Sequence, residues 1–261
     1  MKTLIILSFL VIILFFSPDL KAERRYFGWS YTAYTLPQDA LELEVWNTWS
    51  IGKEMGYYYQ FQPRFEFEYG ILDKLTASLY FNFDQVIAEE NSFSPKNFTF
   101  NSTSIELRYR FTDPNEIFID PALYFEFAYG GDEIEYEAKA LLSKRINNFI
   151  AVLNINGEIE QEVIESETES VFEITTGVMY EVIPSFAFGV EFRNHRGYEE
   201  VYEEEEYQAS FLGPTINFQT KSFFLTMSFL PQISGNPATS GNLELASHEK
   251  YEFRTILGID L

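Results

Sequence analysis

Residues 75–83 read Leu75-Thr76-Ala77-Ser78-Leu79-Tyr80-Phe81-Asn82-Phe83. Leu75, Ala77, Leu79, Phe81 and Phe83 fall on one parity, and Thr76, Ser78, Tyr80 and Asn82 on the other. Successive side chains of a β-strand point to opposite faces, so this alternation describes a strand with one apolar and one polar face. The same period runs outward in both directions. Upstream, Phe61, Pro63, Phe65, Phe67 and Tyr69 alternate with Gln62, Arg64, Glu66 and Glu68. Downstream, Ile105, Leu107, Tyr109 and Phe111 alternate with Glu106, Arg108 and Arg110. After residue 22, helical i, i+3, i+4 spacing is not sustained anywhere.

About twelve such segments can be marked, near 40–51, 57–70, 75–86, 102–112, 117–129, 134–145, 148–160, 169–181, 185–195, 206–218, 221–231 and 246–260. Most reach the roughly 9–11 residues that a tilted strand needs to cross a bilayer. The connections alternate. Tight turns are expected at 72–74, 113–116, 146–147, 183–184 and 219–221. Longer or more polar links are expected at 52–56, 87–101, 130–133, 161–168, 196–205 and 232–245. Short turns on one side and longer loops on the other describe an outer-membrane barrel with both termini in the periplasm.

The N-terminus supports export. Lys2 precedes an apolar run from Leu4 to Phe16, broken by Ser17-Pro18-Asp19, with a cleavage point after Ala22. This core of about 13 residues suits a signal peptide and is short for a spanning helix. The expected organisation is a signal peptide over 1–22 and one barrel domain over 23–261. No later segment is long and apolar enough for a membrane helix, so a membrane location requires a closed barrel. A secreted or periplasmic soluble β protein is the competing reading, because periodicity alone does not say which face meets lipid. Tyr57, Tyr58, Tyr59, Tyr69, Tyr109 and Tyr129 near strand ends favour the membrane, where Tyr gathers at the interfaces.

Composition removes several classes of function. The 261-residue chain carries 18 Lys+Arg against 40 Asp+Glu, a formal charge of −22. Nucleic-acid binding needs a basic footprint and is not expected. There is no cysteine and there are only two histidines, which excludes disulfide scaffolds and thiolate chemistry. No metal site, cofactor or catalytic group is expected. His248 follows Ser247, but neighbours on a strand face opposite ways, and no Gly-x-Ser-x-Gly elbow occurs. A lipid-modifying enzyme of the outer membrane is the least favoured reading. The acidic run Glu199-Glu200-Val201-Tyr202-Glu203-Glu204-Glu205-Glu206 reads as a solvated loop, with weak divalent-cation binding as its alternative.

The terminal stretch Tyr251-Glu-Phe-Arg-Thr-Ile-Leu-Gly-Ile-Asp-Leu261 places Tyr251, Phe253, Leu257, Ile259 and Leu261 on one parity. It resembles the last strand by which bacterial outer-membrane barrels engage the barrel-insertion machinery, although that pattern prefers a terminal aromatic. Thr35-Leu36-Pro37-Gln38-Asp39-Ala40-Leu41-Glu42-Leu43-Glu44 and Tyr69-Gly70-Ile71-Leu72-Asp73-Lys74-Leu75-Thr76 resemble segments of the uncharacterised Gram-negative porin-like barrels that include the MetA-pathway phenol-degradation-like family. The resemblance covers under a tenth of the chain. It implies an outer-membrane barrel of undetermined substrate and carries over no catalytic residue.

With apolar side chains facing lipid, Arg64, Glu66, Glu68, Glu106, Arg108, Arg110, Glu191, Arg193, Glu252 and Arg254 face the lumen and are the candidates for tuning permeation. Arg64, Glu66, Arg108 and Arg110 head this set by parity and central position. Arg or Lys on the lipid face would cost about 2–4 kcal/mol at the midplane. The lumen is either a structural ion-pair network filling the barrel or a narrow hydrated pore for small polar or charged solutes. An open pore with this acidic excess would prefer cations. The expected function is a passive channel or transporter, with a structural or surface-interaction barrel of plugged lumen as the alternative. The expected partners are outer-membrane lipid and small solutes. Oligomeric state is not legible.

Overall fold

The computed structural model describes residues 25–54, 56–88, 98–131, 133–163 and 167–261. The expected signal peptide lies outside them. The regular elements are twelve strands: β1 (Leu41–Ile51), β2 (Tyr58–Leu72), β3 (Leu75–Ala88), β4 (Thr99–Arg110), β5 (Asp120–Gly130), β6 (Glu133–Ile146), β7 (Phe149–Glu162), β8 (Thr168–Ile183), β9 (Phe186–Glu199), β10 (Glu204–Gln219), β11 (Phe223–Asn236) and β12 (Tyr251–Asp260). Each pairs antiparallel with its chain neighbours. β1 pairs with β12 from Glu42↔Asp260 to Ile51↔Tyr251, which closes the barrel. Closure leaves no strand edge unpaired, the condition for backbone to lie in hydrocarbon.

Parity decides the faces as the alternation predicts. Leu107 and Phe125 point outward and are each 47% exposed, whereas Glu106 and Glu126 between them are buried. Outward apolar side chains recur around the barrel: Phe67, Leu79, Ile105, Phe127, Leu153, Val178, Phe188, Leu212, Ile216 and Phe229 are all exposed. A predominantly apolar exterior around a buried polar interior is the reverse of a soluble sandwich. It excludes the secreted soluble alternative on physical grounds, since so large an apolar surface is not left to water.

Two connections differ from expectation. The link between β5 and β6 is a two-residue hairpin, because Gly131 adopts a positive φ of 57° that a tight turn uses without strain. The link expected to be a tight turn at 113–116 instead occupies residues 111–119, with Asn115 in the left-handed region and its N–H donating to Asp120. Half of the acidic run is strand: β9 extends to Glu199 and β10 begins at Glu204, which face each other across the turn at 200–203. β12 starts at Tyr251, so Ser247 and His248 lie in the loop after β11. The end of the barrel carrying both β1's start and β12's finish is called here the terminal end, and the opposite one the loop end.

Candidate functional site: an acid-lined lumen closed by the N-terminal segment

Residues 25–40, ahead of β1, do not lie outside the barrel. Tyr26, Phe27, Trp29, Tyr31, Ala33 and Leu36 are all buried, and their partners are lumen side chains from nearly every strand. The Glu191 carboxylate on β9 accepts three successive backbone N–H groups, from Gly28 (3.1 Å), Trp29 (2.9 Å) and Ser30 (2.6 Å). Asn154 on β7 accepts from the Tyr31 N–H at 2.6 Å and donates to the Tyr31 carbonyl at 3.0 Å. Ser143 on β6 accepts from Ala33, and Thr76 on β3 from Leu36. Asn217 on β10 and Thr226 on β11 both donate to the Arg25 carbonyl. A segment without a ladder of its own must satisfy its backbone elsewhere, and here the wall does it. Most of these wall residues lie in the half of their strands nearer the terminal end. The segment is therefore a plug in that half.

The two stretches that carried the resemblance meet at the plug's exit. The Asp39 N–H donates to the Gly70 carbonyl at 2.8 Å and the Gly70 N–H to the Ala40 carbonyl at 2.9 Å. Tyr69 donates to Asp39, and Asp73 accepts from the Gln38 N–H. A β-carbon on Gly70 would lie 1.9 Å from the Pro37 carbonyl oxygen. Gly70→Val is expected to lower stability by about 1–3 kcal/mol, because backbone rather than a side chain must yield. Chemical denaturation of the refolded protein reads this directly, and an unchanged midpoint would contradict the close approach.

Above the plug the lumen stays polar. A cavity floored by Trp29, Tyr31 and Trp46 is lined by Arg64, Glu126, Glu137, Lys139, Glu173, Arg193 and Arg254. It shares Glu158 and His195 with a second cavity nearer the loop end, which in turn shares Glu169 and Glu206 with an acidic depression at the rim. Part of the loop after β11 folds into this mouth. His248 packs edge-to-face on His195, Tyr207 and Phe211. The Glu244 carboxylate caps the turn by accepting from the N–H groups of Ala246, Ser247 and His248. In the same loop, burial pushes the Glu249 carboxyl up, and the hydrogen bond and charge of His248 outweigh it, so the group sits below its ordinary range.

Strand register organises the carboxylates. Asp260, Glu42, Glu68, Ser78, Glu106, Glu126, Glu137 and Glu158 face one another directly, strand to strand, from β12 through β1 to β7. The row starts beside the terminal end and finishes near the loop end, because tilted strands are staggered around a barrel. A second direct row, Glu135, Glu160, Glu169, Glu199 and Glu204, crosses β6 to β10 around the mouth. Like charges directly opposite one another destabilise a sheet.

All ten lumen candidates lie on inward register positions, but in four settings. Arg64, Arg193 and Arg254 border the cavity above the plug, with Glu252 paired to Arg193. Arg193 bridges Glu173 (2.6 Å) and Glu252, while Arg254 lies over Trp29 and Trp46 and donates to the Gly28 carbonyl. Glu66, Glu68, Glu106 and Arg108 are fully buried beneath the plug, with Arg108 bonded to Glu68 (2.9 Å) and Glu106 (2.8 Å). Arg110 is not central: it ends β4 at the terminal rim and binds Thr35, the Asp73 carbonyl and Asp113. Glu191 holds the plug. Sequence reading missed Arg25, Trp29 and Tyr31 as lumen residues. The available signal was Tyr26-Phe27-Gly28-Trp29-Ser30-Tyr31, an aromatic cluster with no strand period just after the expected cleavage point.

A closed antiparallel barrel, apolar outside and acid-lined inside, defines a transmembrane β-barrel of the outer-membrane type. The chain belongs to the family of unknown function DUF6662, which it matches over residues 20–143 and 132–261. No curated protein sequence matches it. Among solved structures it is similar to the COG4313 outer membrane channel from Pseudomonas putida F1, with a TM-score of 0.67, 10% identity, and coverage of 88% of this chain and 98% of that one. It is also similar to the NanC porin (TM-score 0.56, 10% identity, 84% and 100% covered). A third similar structure is the KdgM porin in complex with disordered oligogalacturonate (TM-score 0.52, 7% identity, 84% and 99% covered). At these identities the likeness is one of fold.

Proposed function

We propose that this protein is an outer-membrane channel for small polar or charged solutes, cation-preferring, and closed by its N-terminal segment in the described form. Residues 1–22 act as the export signal, and the apolar parity of β12 (Tyr251, Phe253, Leu257, Ile259) addresses the barrel-insertion machinery. In this orientation the loop end faces outward. The likeness of residues 35–44 and 69–76 to the MetA-pathway phenol-degradation-like barrels is compatible with this reading, as are the channel and porin neighbours.

The observation that carries it is the row of carboxylates running from the terminal end to the mouth. A permanently sealed barrel gains nothing from such a row, since well-packed apolar residues are as stabilising as buried ionic ones. A path that must hydrate and pass cations needs carboxylates along its length. The wall beneath the plug is also polar (Ser143, Asn154, Thr215, Asn217, Thr226, Ser228), so plug departure would expose groups that water satisfies.

Planar-bilayer recording of the refolded mature protein in a salt gradient tests this. With residues 25–36 deleted to unplug the lumen, discrete steps with a cation-selective reversal potential are expected, and adding Glu158→Gln with Glu160→Gln should move that potential toward zero. Steps that are anion-selective, or unmoved by the double substitution, would overturn the cation reading. The second reading, a structural barrel with a filled lumen, draws on the plug itself and predicts silence in every variant.

A further inference from the structure

We propose that Glu44, Glu66 and Glu68 form a binding site for a hard divalent cation such as calcium, in the barrel wall beneath the plug. The site stands on its own geometry, whether or not the barrel conducts. Each of the three offers a carboxylate oxygen, and these oxygens all lie within 4.8 Å of one another. Glu44 and Glu66 face each other across β1 and β2, and Glu68 is the next inward residue on β2. All three are fully buried.

The independent observation is Glu66. No N–H or hydroxyl donor reaches either of its oxygens, nor Oε2 of Glu68; the groups closest to the Glu66 carboxyl are the carboxyls of Glu44 and Glu68 themselves. A buried carboxylate with nothing donated to it is costly by several kcal/mol. The surrounding charges do not settle the deficit. Arg25 lies 3.2 Å from Glu44 and 3.6 Å from Glu68, and Arg108 binds Glu68 and Glu106. Among the described residues, the guanidinium groups of Arg25 and Arg108 face the carboxylates of Glu44, Glu66, Glu68 and Glu106, an acidic excess that a divalent ion would offset. Hard divalent cations take carboxylate oxygens as ligands, and calcium, bound at roughly 2.3–2.6 Å in flexible geometry, suits a cluster of this kind.

The site also touches the plug. Arg25 belongs to the N-terminal segment and rests on two of the three ligands, with its guanidinium over Tyr31 and Trp46. The ion and the start of the plug therefore share Glu44 and Glu68.

Trp46 makes the test specific, because its indole N–H donates to Glu44 Oε2 at 2.7 Å. Terbium, a luminescent calcium substitute, should be sensitised by indole excitation when added to the refolded mature protein, and calcium should displace it. Glu66→Gln should weaken terbium binding by about tenfold or more, the equivalent of about 1.4 kcal/mol. Glu160→Gln with Glu169→Gln, at the acidic mouth, should leave indole-sensitised emission unchanged. Emission unaltered in Glu66→Gln would overturn the site, and so would emission lost only in the mouth variant. If Glu66→Gln does not give a folded, heat-modifiable barrel, Trp46→Phe decides: it leaves the ligands in place and should abolish most of the sensitised emission. Emission retained there would place the ion elsewhere. Calcium should also raise the unfolding temperature of the wild type. No rise would mean that the carboxylates share protons instead and would overturn the proposal.

Discussion

Glu191→Ala is expected to open the barrel. Glu191 is the anchor at which three consecutive N–H groups of the plug converge, and it is fully buried. Hydrogen bonds to a charged acceptor contribute about 1.5–3 kcal/mol each and do not add fully, so removing this acceptor should cost the plugged state about 3 kcal/mol. That is roughly a hundredfold shift in the closed-to-open ratio. Time-averaged conductance in a planar bilayer should rise accordingly, with the folded barrel verified by heat-modifiable migration. Deleting residues 25–36 sets the upper limit, because it removes the plug and leaves Pro37–Ala40 to lead into β1. Conductance in the deletion but not in Glu191→Ala would mean that the other wall contacts suffice to hold the segment. Silence in both would show that the lumen is closed by something other than this segment, and would favour the structural-barrel reading.

The second large effect concerns the outer face. Ile105 lies near the middle of β4, points outward, and pairs with Leu79 and Phe127 on the neighbouring strands. Ile105→Arg is expected to destabilise the barrel in phospholipid by about 2–4 kcal/mol, as charge placed at the bilayer midplane does. The equilibrium should shift about thirty- to a thousandfold, read as the folded fraction on a urea titration in vesicles. Glu158→Arg, on the inward face bordering the cavity above the plug, should fold with little loss because water reaches it. Equal effects of the two substitutions would contradict the assignment of faces. A larger penalty inside than outside would return the chain to the soluble class.

These two predictions rest on information of different origin. The outward position of Ile105 was legible from the alternation Ile105, Leu107, Tyr109 against Glu106 and Arg108. So were the inward positions of all ten lumen candidates, including Arg64, Arg193 and Arg254 around the cavity. Strand alternation is a local property: each residue's face follows from its neighbour's, and a bilayer admits only one assignment of the apolar face. The number of strands followed in the same way. Their ends followed less well, because a strand ends where pairing ends. Glu199 and Glu204 continue the β9–β10 ladder into what reads as a solvated acidic loop.

What the chain determined by itself was therefore the barrel, its inside and its outside. The tertiary structure decided whether the lumen is filled and by what. Residues 25–36 have no period, and most of their bonds join a backbone group to a side chain far along the sequence, such as Gly28 to Glu191 or Gly28 to Arg254. Such contacts leave no mark on local spacing. The facing rows of glutamates arise likewise from stagger between strands, which fixes Glu44 against Glu66 and Glu106 against Glu126 only once neighbouring strands pair in register. Periodicity records which way a side chain points. Closure alone records what it meets, and in this protein the meeting of a polar wall with an unpaired N-terminal backbone makes the plug.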